Sequence, residues 1–340
     1  MKHSYHRLAY AAALVLPLLA AAQQPAQLVT VDNFVRAETD RYMAGQITRA
    51  GLGKFHATRT LAPVDRQAVV RMNRDTLYAS AVLDLDASPA TIVMPDAGKR
   101  YLSAQVLNED HYTTRVVYTP GSFTLTRQDV GTRYAYVIVR ILVDGNDPQD
   151  LKQVHVLQDA LQIKQAAPGK FEVPNWDEPS RKKVRDALVT LANTTPDTRT
   201  AFGAEGAVNP IRRLVWSAAG WGGLPDKDAV YLNFTPARND GKTVHRLTLK
   251  DVPIDGFWSV SVYNAQGYYE KNAANAYVAN SVSSAKAADG SVTVQFGDCD
   301  DKVPNCLPIV PGWNYLMRLY LPHAEILNGK WQPPEAQAVD

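Results

Sequence analysis

Four strand-like segments of this 340-residue sequence occur twice and in the same order, and this repetition constrains the fold more than any other feature. The segment that begins at Asp75 has a counterpart that begins at Asp228, and the segment with Ser103 has one with Ser259. Two later segments repeat a Gly-Ser dipeptide before an alternating run and a single arginine inside an apolar run. Because apolar and polar residues alternate in these segments, we expect β-strands, and their repetition predicts two related antiparallel β domains.

Helical patterns flank and connect these strands. Asp147 followed by Pro148 is typical of a helix start, because aspartate caps the first amide groups and proline suits the first turn. A second helix is predicted from Ser180 to about Ala192. The fold is therefore predicted to be α+β, mainly antiparallel β, with two related β-sandwich-like domains in tandem and a few helices. The predicted boundaries are an N-terminal β domain with flanking helices at 23–165, a connector of helices and loops at 166–226, and a C-terminal β domain at 227–340.

The first 22 residues have the pattern of a cleaved secretory signal peptide. Lys2 and Arg7 precede an apolar run, which ends in three alanines at 20–22. This run is too short to cross a bilayer, and no later segment reaches the required apolar length, so we expect no membrane span. The sequence therefore predicts a periplasmic or secreted protein.

The charge balance of the mature chain argues against a polyanionic partner. Removal of Lys2 and Arg7 with the signal peptide lowers the 36 basic residues to 34, which equals the number of acidic residues. Such a chain has no single-sign field that attracts nucleic acid over a long range. We therefore expect no nucleic-acid partner, whereas a small-molecule or saccharide ligand is compatible with the composition.

The two cysteines, Cys299 and Cys306, are separated by six residues in a polar segment. In an oxidising compartment, such a close pair is predicted to form a disulfide. Zinc is not expected, because no second Cys or His pair accompanies them at ligand spacing. The glycine-rich segments lack the strand and helix context of nucleotide-binding loops, so we expect neither a metal nor a cofactor.

The densest polar cluster precedes the first repeated strand. It consists of Arg71, Asn73, Arg74 and Asp75, and Tyr78 follows on the polar face of the strand. The planar donor groups of arginine suit a carboxylate or sugar-acid ligand, so these side chains are candidate ligand contacts. A structural network of buried polar groups explains the same residues equally well, and the sequence leaves both alternatives open.

Arg140 and Arg318 extend this candidate site, because an arginine inside an apolar strand needs a partner or a cavity. The alternative is that each arginine is paired and locks its β domain to the neighbouring one. Trp258 and Tyr263 are candidates for an aromatic wall against a sugar ring, although packing between domains is the commoner role of such residues. Since Phe257 and Trp258 point to opposite strand faces, only one of them is expected in the core.

His56 and His111 are the candidate acid or base groups, because each lies in a loop with polar neighbours and can titrate near neutral pH. Together with Asp75 they form the predicted catalytic set, and ordinary surface histidines are the alternative. These residues lead to two hypotheses. The first is a hydrolase-like enzyme acting on a small polar or saccharide-type ligand in a cleft between the β domains. The second is a non-catalytic periplasmic ligand-binding or envelope-assembly protein.

Several segments resemble a bacterial family built from two adjoining domains, catalogued as domains of unknown function twelve fifty-four and twelve fourteen. They include RMNRDTLYASAVLDL from Arg71 and DGFWSVSVYNAQGYY from Asp255, and the resemblance extends over 31–334. It implies a two-part, β-rich architecture and frequent export, and it supplies no catalytic mechanism. Where the family usually has an Asn-Trp-Leu-Pro-like turn, this chain has Cys306 in place of the tryptophan. The motif positions that match are Asn73, Arg74, Asp75, Thr76, Tyr78, Phe257, Trp258, Ser259 and Tyr263.

Overall fold

The computed structural model describes Met1 and residues 25–67, 70–195, 197–300 and 302–339. Apart from Met1, the predicted signal peptide at 1–22 lies outside the described residues. In this part of the chain, no helix combines the length and the hydropathy that crossing a bilayer requires. The helices are α1 (Phe34–Ala50), α2 (Arg127–Val130), α3 (Pro148–Ala160), α4 (Glu178–Ala192), α5 (Pro210–Ala219) and α6 (Ala324–Leu327).

The strands fall into two sets along the chain, called here the first and the second half. The first half contains β1 (His56–Ala57), β2 (Thr76–Asp84), β3 (Ala90–Met94), β4 (Leu102–Asn108), β5 (Thr113–Val117), β6 (Gly121–Leu125), β7 (Tyr134–Leu142) and β8 (Gln162–Gln165). The second half contains β9 (Ala229–Phe234), β10 (His245–Leu249), β11 (Trp258–Tyr263), β12 (Val278–Asn280), β13 (Val292–Phe296), β14 (Cys306–Leu307), β15 (Asn314–Tyr320) and β16 (Gln337–Ala338).

Both halves use the same strand order. Each has a central sheet, with the order β1-β2-β7-β4-β5 in the first half and β12-β11-β15-β9 in the second. Each also has a smaller sheet, β6-β3-β8 or β14-β13-β10-β16. The series β2-β7-β4 therefore corresponds to β9-β15-β11, and the pair β3-β6 corresponds to β10-β13. The pairings are antiparallel except for β13 with β14, so the predicted mainly antiparallel α+β fold is confirmed. The domain boundaries stay a prediction.

The register of the central sheets repeats a trio of side chains. In each sheet an arginine on the middle strand faces a tyrosine on one neighbouring strand and a serine on the other. The trios are Arg140 with Tyr78 and Ser103, and Arg318 with Tyr231 and Ser259. The sequence alignment of Ser103 with Ser259 therefore predicts the pairing register of these strands as well as the order of the strands.

The central strands are buried on both faces, unlike the half-buried strands that the alternation predicts. Every residue of β4, β7, β11 and β15 is buried. The expectation that only one of Phe257 and Trp258 is buried is therefore wrong, since 1% and 5% of their surfaces are exposed. Trp258 lies in the core of the second half, whereas Phe257 packs against Tyr101 of the first half. The second face of each central sheet is therefore covered by the other half of the chain instead of being exposed to water.

Three helices form a layer beside the central sheets. Residues of α1, α4 and α5 pack on one another through Phe34, Leu188 and Val215. The helix α3 begins after the predicted cap, Asp147, whose side chain accepts a hydrogen bond from the amide of Gln149. The helix α4 begins two residues earlier than predicted, because Asp177 is the cap that accepts from the amide of Ser180.

The predicted disulfide is confirmed. Cys299 and Cys306 are bonded, and their Cα atoms are 5.5 Å apart. The ring lies in the connection from β13 to β14 in the second half. It is therefore an addition to the second copy of the repeat, placed at the edge of its smaller sheet.

Candidate functional site

A cavity of about 250 Å³ lies between the two central sheets and the helices α4 and α5. One side, the sheet wall, contains the tyrosine and the arginine of each trio. The opposite side, the helix wall, is apolar except for the indole Nε1 of Trp216, which has no hydrogen-bond partner among the described residues, and consists of Val189 and Ala192 of α4 and Trp216, Ala218 and Ala219 of α5. The cavity therefore joins a basic surface to an apolar one.

Two loop segments also contribute to the lining and cross from one half to the other. The first strap, residues 70–75, precedes β2, and the second strap, residues 220–228, precedes β9. Arg318 donates from Nη2 to the carbonyl oxygens of Arg71 at 3.0 Å and of Met72 at 3.3 Å in the first strap. Arg140 donates from Nη2 to the carbonyl oxygen of Gly222, 2.5 Å away in the second strap. Each buried arginine thus holds the strap of the opposite half.

Arg318 is surrounded by acceptors. Its Nη1 donates to Ser261 Oγ at 2.7 Å, and its Nη2 donates to the hydroxyl of Tyr263 at 2.8 Å. The Oδ2 atom of Asp75 is 3.8 Å from Nη1 and also accepts a 2.6 Å hydrogen bond from Ser259 Oγ. Burial lowers the pKa of Arg318, but the nearby hydroxyls of Tyr263 and Tyr269 and the carboxylate of Asp75 outweigh it and raise the pKa well above its usual value.

Arg140 has fewer partners. Its Nη1 donates to Gln105 Oε1 at 2.8 Å, and its guanidinium carbon lies 5.7 Å from the centre of the Tyr78 ring. No carboxylate of the described residues forms an ion pair with it. Asp228, the counterpart of Asp75 in the repeat, instead accepts a 2.8 Å hydrogen bond from the hydroxyl of Tyr118. Burial lowers the pKa of Arg140, yet the neighbouring tyrosines outweigh this effect and raise it, so the side chain is charged.

A third arginine, Arg71, lies on the first strap. Its Nη1 donates to Asn314 Oδ1 at 2.8 Å, and its guanidinium group lies over the ring of Tyr263. Burial and the proximity of Arg318 lower its pKa. The described residues that line the cavity thus include three arginines and no aspartate or glutamate. Such a lining attracts an anion and disfavours a cation.

His111 supports the second strap from behind. Its Nε2 atom accepts a 2.8 Å hydrogen bond from the amide of Gly222, and its ring stacks on Trp221. Burial and the nearby Arg213 lower its pKa from 6.5 to about 3, so the imidazole is neutral near pH 7. The carbonyl oxygen of Gly222 also accepts a hydrogen bond from Arg140. His111 therefore positions Gly222 beside Arg140, and His111 itself does not line the cavity.

The structure brings together only some of the residues predicted for the site. Five line the cavity, namely Arg71, Asn73, Tyr78, Arg140 and Arg318. Six do not: His56, Arg74, Asp75, His111, Trp258 and Tyr263. His56 lies on β1 at a separate surface pocket shared with Arg59 and Gln158. The three residues predicted as a catalytic set are thus in three different environments, and their catalytic role stays a prediction.

The remaining predicted residues have identifiable contacts. Asn73 donates from Nδ2 to the hydroxyl of Tyr320 at 2.9 Å, which joins the first strap to β15. The hydroxyl of Tyr263 donates to the carbonyl oxygen of Met72 at 3.0 Å. Arg74 donates to the carbonyl oxygen of Ala62, and its guanidinium carbon lies 4.9 Å from the centre of the Tyr277 ring.

Several lining residues were not predicted from the sequence. Tyr231 is the counterpart of Tyr78, so the repeat contains a signal that could have identified it. Trp216, Trp221 and Gly222 come from the connector, where neither periodicity nor the repeat marks them. The position of Trp221 and Gly222 depends on the crossing of the second strap onto the first half, and that of Trp216 depends on the packing of α5, and both are tertiary features.

Comparison with known families agrees with the two-part organisation. A family profile described as Protein of unknown function (DUF1254) matches residues 52–128, and one described as Protein of unknown function (DUF1214) matches residues 232–324. Together the matches cover half of the chain. The chain belongs to the family that pairs these two domains. The resemblance found in the sequence is thereby confirmed.

Solved structures share the fold of this family member. The VPA0106 protein from Vibrio parahaemolyticus is 18% identical, with a TM-score of 0.70 over 91% of this chain and 98% of that one. An uncharacterized protein from Burkholderia cenocepacia is 13% identical, with a TM-score of 0.53 over 91% of this chain and 87% of that one. At such identities the similarity concerns the fold alone. No curated protein matches the chain significantly.

Proposed function

We propose that the protein binds a small amphipathic anion, with a carboxylate or phosphate head and an apolar body, in the cavity between the two straps. The observation that carries this proposal is the composition of the lining, which has three arginines and no acidic residue among the described residues. The planar guanidinium group provides paired donors for carboxylate and phosphate oxygens. The anionic head would therefore lie against the sheet wall.

The apolar helix wall supports an amphipathic ligand over a saccharide. Val189, Ala192 and Ala218 offer no side-chain donor or acceptor to the hydroxyl groups of a sugar ring. A neutral sugar would also leave Arg140 without a counter-charge, and an uncompensated buried charge is costly. A ligand with one anionic end and one apolar end fits both walls.

The positions of the predicted catalytic residues favour binding over hydrolysis. His56 lies at a different pocket, and His111 already accepts a hydrogen bond from Gly222. Asp75 lies behind the lining, where it contacts Ser259 and Arg318. We therefore propose a non-catalytic ligand-binding role and a periplasmic or secreted location, for which the disulfide is supporting evidence.

Tryptophan fluorescence tests this proposal, because Trp216 and Trp221 line the cavity. The purified protein is titrated with a panel of alkyl and aryl acids and phosphates, each acid matched with its neutral primary amide. We expect acids to bind at least tenfold more tightly than their amides, since each charge-assisted hydrogen bond contributes roughly 1.5–3 kcal/mol. Equal affinities within every pair, or no binding by any member, would contradict the proposal.

A further inference from the structure

We infer that the ligand is a straight-chain carboxylate that binds head first, with its carboxylate at Arg140 and its alkyl chain running between α4 and α5 towards Asn193. This inference rests on the proposed function and deepens it by naming the class of ligand and its orientation. It depends on how exposure, charge and side-chain size change from one end of the cavity to the other.

Two of the three lining arginines, Arg140 and Arg318, are buried, whereas Arg71 on the first strap is partly exposed. Arg140 and Arg318 are only 6% and 2% exposed, although both line the cavity. Asn193, directly after the last turn of α4, is the exposed member of the lining. A ligand therefore enters near the end of α4, and its anionic head travels inward to meet the guanidinium groups.

Apolar groups cover the path between these two ends. Ala192 and Ala218 present only methyl groups from the two helices, and both are buried. Gly220 follows α5, where a Cβ atom would lie 3.2 Å from Trp216 Cε3 and 3.3 Å from Phe202 Cζ. The absence of a side chain at this position lets the two rings pack beside the cavity. This path can remove a chain of methylene groups from water.

Because the charged end and the exposed end at Asn193 are joined by an apolar path, we expect the body of the ligand to be extended and not compact. A compact acid bound at Arg140 would leave the apolar surface of Val189 and Ala219 uncovered. A straight alkyl chain covers this surface along its length, and it can continue past Asn193 into solvent. Such a site is expected to require an anionic head and to tolerate chains longer than the cavity.

A series of straight-chain acids from butanoate to dodecanoate tests the inference, with the matched amides as controls. Each added methylene should raise the affinity about fourfold while it is buried. The affinity should become constant once the chain reaches Asn193. If acids outbind amides but chain length has no effect, the orientation is wrong and the proposed function survives. If acids and amides bind equally, both are wrong.

A fluorescent label at the rim gives an independent readout. Both native cysteines are in a disulfide, so Asn193→Cys supplies a single thiol for an environment-sensitive maleimide dye. Lys182→Cys, at an exposed position of the same helix, is the matched control. We expect dodecanoate to shift the emission at 193, butanoate to leave it unchanged, and neither to affect 182. Binding of dodecanoate without any change at 193 would overturn the inference.

Discussion

The two halves of the molecule share a strand order and a trio of side chains, yet their buried arginines have different partners. Arg318 donates to the hydroxyls of Ser261 and Tyr263 and to the first strap, and Asp75 is 3.8 Å away. Arg140 donates to Gln105 and to the second strap, and no carboxylate among the described residues pairs with it. The positive charge of Arg318 is thus balanced within the protein by Asp75, whereas the positive charge of Arg140 is available to an anionic ligand.

This difference shows how a repeated scaffold can divide two roles between its copies. The equivalent aspartates, Asp75 and Asp228, precede equivalent strands, but only Asp75 lies beside a buried arginine. A buried charge needs compensation, either from the protein or from what it binds. We therefore interpret the environment of Arg318 as the structural lock and that of Arg140 as the recognition element.

The largest expected effect is on folding, and it comes from Asp75→Asn. This change removes the carboxyl group that lies 3.8 Å from the buried Arg318. Burial raises the pKa of Asp75 even though Arg318 and Ser259 lower it, so we expect a cost of about 3 kcal/mol, the lower end of the range for a broken buried ion pair. Urea denaturation monitored by circular dichroism measures the free energy of unfolding. Asp228→Asn is the matched control and should cost about 1 kcal/mol, since Asp228 accepts from Tyr118 without an arginine beside it. Equal decreases in the free energy of unfolding of the two variants would contradict the proposed difference between the halves.

The next largest effect concerns ligand affinity. Arg140→Met should weaken the binding of alkyl carboxylates roughly tenfold to a hundredfold, because a charge-assisted hydrogen bond is lost. The affinity for the matched amides should not change. Arg115→Met, at an exposed position of β5 in the same sheet, controls for a general loss of positive charge. Calorimetric titration measures all three proteins, and an unaltered acid affinity in Arg140→Met would refute the assignment of the head group.

A smaller effect is predicted for His111 and depends on pH. The unfolded chain binds a proton at this histidine below its ordinary pKa of 6.5, whereas the folded protein does so only near 3. The contribution of His111 to stability is therefore complete above pH 6.5 and decreases as the pH falls towards 3. In His111→Leu, the melting temperature should fall less between pH 7 and pH 4 than in the wild type.

At neutral pH, His111→Leu should also cost roughly 1–2 kcal/mol, because the amide of Gly222 loses its acceptor. His111→Gln is the control, since its amide oxygen can accept the same hydrogen bond without titrating. Melting curves for the three proteins at both pH values separate the two effects. Parallel decreases in all three proteins would show that His111 does not cause the pH dependence.

The smallest effect distinguishes the two tyrosines of the sheet wall. Tyr78 is paired in register with Arg140, and Tyr231 is paired with Arg318. Loss of one hydroxyl near the ligand head typically costs about 0.5–1.5 kcal/mol, so Tyr78→Phe should weaken acid binding several-fold. Tyr231→Phe should weaken it less. The reverse order in fluorescence titrations would place the head nearer to the second half.

Much of the fold is predictable because its signals are local. Alternation marks the repeated strands, and the aligned Ser103 and Ser259 fix the register on one side of the two arginines. The arginines themselves stand out because they interrupt apolar runs. The burial of both Phe257 and Trp258 was not predictable, since the cover on the second face comes from the other half of the chain.

The site was only partly predictable, for the same physical reason. Arg71, Asn73 and Tyr78 form a dense polar segment, and they do line the cavity. The contrast between Asp75 and Asp228 leaves no trace in the residue types, because both are aspartates at equivalent positions of the repeat. Only the packing of Tyr118 and Ser259 around them shows which carboxylate accompanies an arginine.

The most direct test of the central claim is a crystal structure of the protein with decanoate. The account predicts that the carboxylate oxygens lie within hydrogen-bonding distance of the Arg140 guanidinium group, with the alkyl chain between α4 and α5. Arg318 should keep its contacts with Ser261 and the first strap. A carboxylate bound to Arg318 in place of Asp75, or located outside the cavity, would contradict the division of roles between the two halves.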